Sequence, residues 1–169
     1  MPERYAHKTQ ENDTQFPTEP KAIKKMIEAT PELLHVVTPF GTILHDSARN
    51  GKYKVTKFLL EKGANVNADG GKFVPITPIV SATLSGQLEI VKLIYSYGAV
   101  LDVSDTKRNI LFCSITEGYD DIAKFAIDHG IDITAKYDIG EIQDCDAMEY
   151  ARQYGRTEIY NYLKEKTGK

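Results

Sequence analysis

The chain has 169 residues, of which 41% are hydrophobic and 27% charged, and its formal net charge is −3. This length fits about one domain, and the composition is ordinary for a globular protein. No apolar run approaches the ~18 residues of a membrane-spanning helix, and the N-terminus has no apolar core of a signal peptide. Cys113 and Cys145 fit a reducing compartment with free thiols, so we expect a cytoplasmic protein.

The N-terminal part of the chain changes character after residue 17. Residues 1–17 are polar and unpatterned, and we expect a flexible arm, with docking of this arm on a partner as the alternative. A helix is predicted after Pro20, and its apolar face at helical spacing consists of Ala22, Ile23, Met26 and Ile27. Pro31 should end or interrupt this helix. We expect the helix to cover one end of the packed helices that follow.

The rest of the chain repeats one spacing pattern four times. Glycines 12 residues apart bracket three windows, Gly51 to Gly63, Gly86 to Gly98 and Gly118 to Gly130, and Gly155 opens a fourth. Nine residues before the first glycine of each window lies a residue type that favours helix N-termini. These helix-opening residues are Thr42, Thr77, Asn109 and Asp146. They are 35, 32 and 37 residues apart, so the pattern predicts four helix pairs with length changes confined to the loops.

Two of these units carry a known motif. The segments TILHDSARNG (42–51) and TPIVSATLSG (77–86), followed by LLEKGANVNA (59–68) and EIVKLIYSYGA (89–99), resemble the ankyrin repeat. Its usual form is TPLHxA, a second helix and then GAxVN. The third unit, NILFCSITEG, matches less well, and the last, DAMEYARQYG, lacks the Thr-Pro and the His. Departure is expected at an end unit, because one of its faces meets water.

The resemblance implies an all-α fold, an ankyrin-repeat solenoid of about four helix-pair repeats with an N-terminal capping helix and hairpin loops between repeats. We expect one repeat domain over residues 18–169. Its expected parts are the cap (18–40), repeat 1 (41–68), repeat 2 (69–103), repeat 3 (104–135) and repeat 4 with the C-terminal cap (136–169).

Each candidate catalytic group has a structural interpretation. The resemblance places His45 at the motif histidine, whose ring ties neighbouring loop backbone by hydrogen bonds. Cys113 occupies the position of Asp46 and Ser81 in other repeats, and nothing in the sequence places a base beside it. The histidines and cysteines lack zinc-site spacings, and the glycines form no phosphate-binding GxxxxGK run. We therefore expect a non-catalytic protein with no cofactor and no metal.

The resemblance also implies where a protein partner would bind. In the family, the first helices line a concave face that the hairpin tips extend. By position, the candidates on this face are Arg49, Asn50, Leu84, Ser85, Thr116, Glu117, Gln153 and Tyr154. The candidates at the tips are Phe40, Phe73, Val74, Arg108 and Ile142.

Phe73 and Leu84 are the leading candidates, because both are large apolar residues at positions that the repeat leaves to solvent. The alternative is that an isolated exposed apolar residue has no function. The last loop, residues 134–145, is more apolar than a solvated loop requires, at Tyr137, Ile139 and Ile142. It either folds onto its own stack or reaches a partner.

Charge is unevenly distributed along the chain. Residues 101–150 contain 12 acidic and 4 basic residues, a net charge of −8, and Asp138 and Glu141 are further candidate contacts within them. Such a run is usually a solvated face. Its concentration would also attract a basic protein and disfavour nucleic acid.

The sequence therefore favours a cytoplasmic protein, monomeric when unbound, that sequesters or inhibits one protein partner. Short irregular arrays of this kind resemble bacterial ones, for which one use is as an immunity protein to a cognate toxin, such as a basic nuclease. The alternatives are an adaptor or scaffold that joins two partners, and a secreted effector that engages a host protein.

Overall fold

A computed structural model describes residues 17, 19–73 and 75–168. The expected N-terminal arm therefore lies outside the described residues, apart from residue 17. No described helix combines the length and the apolar character that are needed to cross a membrane. The α-helices are α1 Pro20–Ala29, α2 Ile43–Arg49, α3 Tyr53–Glu61, α4 Pro78–Leu84, α5 Leu88–Ser96, α6 Ile110–Glu117, α7 Asp120–Asp128, α8 Ala147–Gln153 and α9 Thr157–Thr167.

The four predicted helix openings are confirmed. The residue before each of α2, α4, α6 and α8 is the expected Thr42, Thr77, Asn109 or Asp146. Asn109 Oδ1 accepts hydrogen bonds from the backbone N–H groups of Leu111 and Phe112, at 2.9 and 3.3 Å. The Asp146 carboxylate likewise accepts from the backbone N–H of Glu149 at 2.9 Å. Caps of this kind satisfy N–H groups that have no partner within the helix.

The second helices end at glycines, as predicted. Gly63, Gly98 and Gly130 follow α3, α5 and α7 with φ of +88°, +91° and +81°, a left-handed conformation that ends a helix. Each pair of helices is thus delimited by local chemistry at its first and last residues.

The helices pack in two rows. The first helices α2, α4, α6 and α8 contact one another in sequence order, and so do the second helices α3, α5, α7 and α9. Within each repeat the first helix packs against the second, so every helix buries apolar side chains on several sides. The core runs without a break along the stack, and its largest fully buried side chains include Phe112, Leu44, Ile94, Leu111 and Leu163.

The predicted cap is present at the N-terminal side of this stack. Helix α1 packs against α3, the place that a second helix of a preceding repeat would take. Ile23 and Ile27 are 3% and 2% exposed, as the helical spacing predicted. The helix ends before Pro31, which begins a short 3₁₀ helix, Pro31–His35.

The last inter-repeat loop contains a small β-hairpin in an otherwise all-α fold. Its antiparallel strands are β1, Tyr137–Ile139, and β2, Ile142–Cys145. The Tyr137 hydroxyl donates to the Val103 carbonyl at 2.7 Å and accepts from Asn109 Nδ2 at 3.0 Å. Of the two alternatives for this loop, the Tyr137 side therefore folds onto its own stack.

Successive repeats also meet at the glycine that joins each helix pair. A Cβ added at Gly51 would lie 2.9 Å from Oε1 of Gln87, the residue that follows the equivalent glycine of the next repeat. The same relation brings Tyr119 and then Arg156 to within 2.8 Å of a Cβ at Gly86 and Gly118. Each repeat thus covers the joint of the one before it.

Candidate protein-binding surface

The residues predicted for the binding face lie in a row at the ends of the first helices. Leu84 is the last residue of α4 and is 40% exposed, and Tyr154 follows α8 and is 45% exposed. Thr116 and Glu117 end α6, and both are exposed. The remaining predicted residues of this row are Arg49, Asn50 and Ser85, which are half-buried, and Gln153, which is exposed.

An open groove of about 420 Å³ lies on this face, between the loop that precedes α4 and the helices α4, α6 and α8. Three of the predicted residues, Phe73, Leu84 and Thr116, line it together. Sequence reasoning missed the rest of the lining, which consists of Pro75, Ile76, Thr106, Lys107, Cys113 and Tyr150.

The repeat pattern held a signal for two of the missed residues. Cys113 and Tyr150 each lie four residues after the helix-opening residue of their repeat, whereas Leu84 and Thr116 lie seven after theirs. Positions three apart share one side of a helix. The helical part of the groove is therefore formed by two equivalent positions of the repeat unit, four and seven residues after the helix opening. Three successive first helices, α4, α6 and α8, supply them.

Aromatic contacts continue from the groove into the core. The rings of Tyr150 and Phe112 stack with centroids 4.6 Å apart, and Tyr154 lies 4.6 Å from Tyr150 on the other side. The Tyr150 hydroxyl is 2.9 Å from Thr116 Oγ1, and burial raises the pKa of Tyr150 to about 12. These contacts fix the α8 wall of the groove against α6.

The candidate base His45 is engaged within the fold. His45 is fully buried, its Nδ1 accepts from the Thr42 backbone N–H at 3.1 Å, and its Nε2 lies 2.8 Å from the Ile76 carbonyl, to which it donates. Burial lowers the pKa of His45. The predicted tie between this ring and loop backbone is confirmed.

Cys113 lines the groove but is a poor nucleophile. Burial, together with the nearby carboxylates of Glu117 and Asp105, raises the pKa of its thiol to about 12. The thiolate that nucleophilic chemistry requires is therefore scarce at neutral pH. The part of the chain that the structure describes contains no group of three or more His, Cys, Asp or Glu arranged to hold a metal ion.

The predicted tip residues have different surroundings. Phe73 and Phe40 are 67% and 53% exposed, with ring centroids 6.2 Å apart. The Arg108 guanidinium bridges two loops, with nitrogens 3.0 Å from Asp69 and 3.4 Å from Asp102. Ile142 is half-buried and packs against the core, and Val74 lies outside the described residues.

The acidic residues of the stretch 101–150 are only partly neutralised. Among the described residues, three of the twelve carboxylates of 101–150 form ion pairs, those of Asp102, Asp128 and Glu149. Glu117, Asp138 and Glu141 are exposed and form no ion pair with any described residue. The carboxylate of Glu117, which follows the groove residue Thr116, therefore remains available to a cation.

These features, stacked helix pairs with a groove across their first helices, define a repeat protein with an interaction face. The family model described as "Ankyrin repeats (3 copies)" matches residues 19–105 and 44–137. The two matches together cover well over half of the chain. The chain therefore belongs to the ankyrin-repeat family.

Three relatives resemble this chain, and two of them are named as ankyrin repeat proteins. A protein of Rickettsia felis, named as an ankyrin repeat protein, is 29% identical over 109 residues, 60% of this chain and 48% of that protein. Another of that name, from Rickettsia bellii, is 39% identical over 83 residues, 48% of this chain and 34% of that protein. The transient receptor potential cation channel subfamily A member 1 homolog of Caenorhabditis elegans is 28% identical over 148 residues, 84% of this chain and 12% of that protein. The chain spans less than half the length of each of these relatives.

Proposed function

We propose that this protein binds a protein partner through the face of its first helices and thereby sequesters or inhibits that partner, without catalysing a reaction. The observation that carries the proposal is the groove that exposed Phe73 and Leu84 of the second repeat line together with residues of the third and fourth repeats. Apolar side chains held in this way serve as the central contacts of protein interfaces. Ankyrin repeats are protein-interaction modules, which agrees with this assignment.

The proposed setting is the cytoplasm, with residues 18–169 acting as one domain that is monomeric when unbound. The two cysteines are free and buried, which suits a reducing compartment. The more specific proposal is an immunity protein that blocks a cognate basic toxin. Its support is the net charge of −8 over residues 101–150, which would accelerate association with a basic protein.

Affinity capture from the source cell, followed by mass spectrometry, tests the binding function. We expect wild-type protein to retain a partner that Leu84→Asp and Phe73→Asp both release. Tyr53→Asp is the matched control, since Tyr53 is 44% exposed but begins α3, in the row of second helices. Equal capture by all four proteins would contradict binding at this face.

Inhibition is tested on the captured partner itself. We expect addition of wild-type protein to suppress the partner's toxicity or enzymatic activity, and the association rate to fall as salt rises, because salt screens exposed charges. A partner that is acidic, or whose activity persists in the complex, would contradict the immunity function.

An adaptor is the second candidate, because the protein offers two distinct features, the apolar groove and the exposed acidic residues Asp138 and Glu141 of the hairpin. An adaptor would lose one partner on Phe73→Asp and a different partner on Asp138→Lys. An inhibitor of one partner would lose the same complex in both variants.

A further inference from the structure

One side of the groove, the loop side, is formed by the loop before α4. It is apolar, and a backbone hydrogen bond anchors it to the preceding loop. Phe73, Pro75 and Ile76 line it from the loop before α4, opposite Leu84 at the end of that helix. The backbone N–H of Phe73 donates to the Pro39 carbonyl at 3.3 Å, although the ring itself is 67% exposed. The ring is thus presented on an anchored backbone, which lowers the entropy lost when a partner packs against it.

The size of the groove limits what this apolar side can accept. A volume of about 420 Å³ lies within the range of sites that enclose a small ligand or a few side chains. The groove is open rather than enclosed, so an apolar side chain can enter while its backbone continues across the surface. A segment of a partner protein meets this requirement.

The other side of the groove carries polar groups, and a carboxylate lies next to them in the sequence. Thr116 and Tyr150 form its rim, joined by the 2.9 Å contact between their hydroxyl oxygens. Glu117, the next residue of α6, is exposed and forms no ion pair with any described residue. Its carboxylate lies close enough to the buried Cys113 in the groove wall to disfavour the thiolate, as does that of Asp105.

One lysine opposes this charge, and it lies in the loop that precedes α6. Lys107 lines the groove next to Thr106, whereas Glu117 ends α6 beside Thr116. The surrounding stretch of residues 101–150 has a net charge of −8 with Lys107 already counted. A cation entering at the Thr116 end therefore meets a favourable field.

We infer, building on the binding function proposed above, that the groove binds a partner segment in which an aliphatic or aromatic side chain neighbours a lysine or arginine. The apolar side chain packs between Phe73 and Leu84, and the cation faces Glu117 and the Tyr150 hydroxyl. The carboxylate of Glu117 at the Thr116 end, which forms no ion pair with any described residue, is complementary in charge to a basic partner segment. A purely apolar segment would leave the exposed Glu117 carboxylate beside the groove without a counter-charge.

Selection from a random peptide library displayed on phage, with the full-length protein as bait, tests this preference. We expect enrichment of peptides that combine an apolar residue with an adjacent lysine or arginine. Enrichment of acidic peptides, of purely apolar peptides or of none would overturn the inference.

Measured affinities of a selected peptide then locate the contact. We expect Glu117→Lys to weaken binding by about tenfold or more, Glu117→Gln by less, and Leu84→Ala by about tenfold, the loss typical of a central interface contact. The matched controls are Glu165→Lys, at an exposed residue of α9, and Tyr53→Ala. Equal effects of Glu117→Lys and Glu165→Lys would overturn the placement of the cation.

The peptide preference and the inhibitor function can be contradicted independently of each other. If the protein selects such peptides but leaves the activity of its captured partner intact, the inhibitor function is wrong and the peptide preference stands. If it inhibits its partner while selecting acidic peptides, only the preference is wrong. Circular dichroism of each variant confirms that the measured losses come from the surface.

Discussion

At the scale of single residues, His45 shows how a fully buried imidazole contributes to stability. Both ring nitrogens bond protein groups, Nδ1 with the Thr42 backbone and Nε2 with the Ile76 carbonyl. Because Nδ1 accepts from a backbone N–H, the proton lies on Nε2 and the folded protein holds the neutral ring. The histidine thus joins the start of α2 to the loop that leads into the next repeat.

We predict that this bond network makes stability depend on pH. Burial lowers the pKa of His45 from its ordinary value of 6.5, so below about pH 6.5 the unfolded chain gains a proton that the folded chain does not. His45→Leu should cost about 1–3 kcal/mol at pH 7.5, because it leaves Thr42 N–H and the Ile76 carbonyl unpaired. The difference from wild type should narrow as pH falls below 6.5.

Urea denaturation at several pH values measures this difference. His35→Gln, at an exposed side chain, is the control for changing a histidine. A gap between wild type and His45→Leu that stays constant or widens as pH falls would contradict the prediction.

A second residue-scale prediction compares two glycines with nearly the same backbone. Gly118 and Gly130 have φ of +83° and +81°, but only at Gly118 would a Cβ meet a neighbour, the Arg156 guanidinium at 2.8 Å. Gly130→Ala should cost about 1 kcal/mol for the left-handed backbone alone. Gly118→Ala should cost more, because it displaces Arg156 from the Ile115 and Thr116 carbonyls, at 2.9 and 3.1 Å. Equal shifts in the denaturation midpoint would show that Arg156 adjusts without loss.

At the scale of elements, the hydroxyl of Tyr137 ties the β-hairpin to the preceding loop and to α6. Tyr137 accepts from Asn109, a fully buried residue, and donates to the Val103 carbonyl. Tyr137→Phe should destabilise the fold by about 1–3 kcal/mol, because it leaves these groups without their partner. Tyr53→Phe, at a tyrosine 44% exposed, should change stability by no more than about 0.5 kcal/mol. Chemical denaturation of both variants measures the contrast, and equal midpoints would contradict it.

The elements also show how far the sequence predicts this fold. Helix openings and ends follow from local chemistry, such as Asn109 before α6 and Gly130 after α7, and they were predicted correctly. The hairpin was not predicted as strands, although Tyr137, Asp138 and Ile139 alternate between half-buried and exposed as a strand should. A three-residue strand is too short for that alternation to decide.

The candidate surface was predictable from the sequence only in part, because its lining comes from several repeats. Phe73 and Leu84 were recognised because large apolar residues at solvent positions are conspicuous in one repeat. Cys113 and Tyr150 were missed as lining residues, because the groove spans three repeats and depends on how closely successive helices pack. Arg108 was predicted as a contact, yet its pairing with Asp69, 39 residues away, engages its guanidinium within the protein.

At the scale of the whole molecule, stability is shared along a row of units that touch only their neighbours. A cavity in the middle should therefore weaken every repeat, whereas one at an end should loosen that end first. Leu111→Ala in α6 should cost about 2–5 kcal/mol and lower hydrogen-exchange protection throughout the stack. Ile27→Ala should lower protection mainly in α1 and the adjoining 3₁₀ helix.

Hydrogen exchange followed by mass spectrometry distinguishes these patterns. The two side chains are matched in burial, with Leu111 at 0% and Ile27 at 2% exposure. Uniform loss of protection in both variants would mean that the stack unfolds as a single cooperative unit.

A different side chain covers the glycine at each of three successive contacts between repeats, so the order of the repeats matters. Gln87, Tyr119 and Arg156 each lie against the glycine of the preceding repeat, an amide, a phenol and a guanidinium in turn. The glycines they cover have similar φ, from +68° to +83°. The glycine sites are therefore alike in backbone, while the side chains that cover them differ. Removing repeat 3 would place Arg156 against Gly86 in the position that Tyr119 occupies, and would so replace an aromatic ring with a cation. We therefore expect a repeat moved to another place in the array to pack well only if the residue that covers its glycine moves with it.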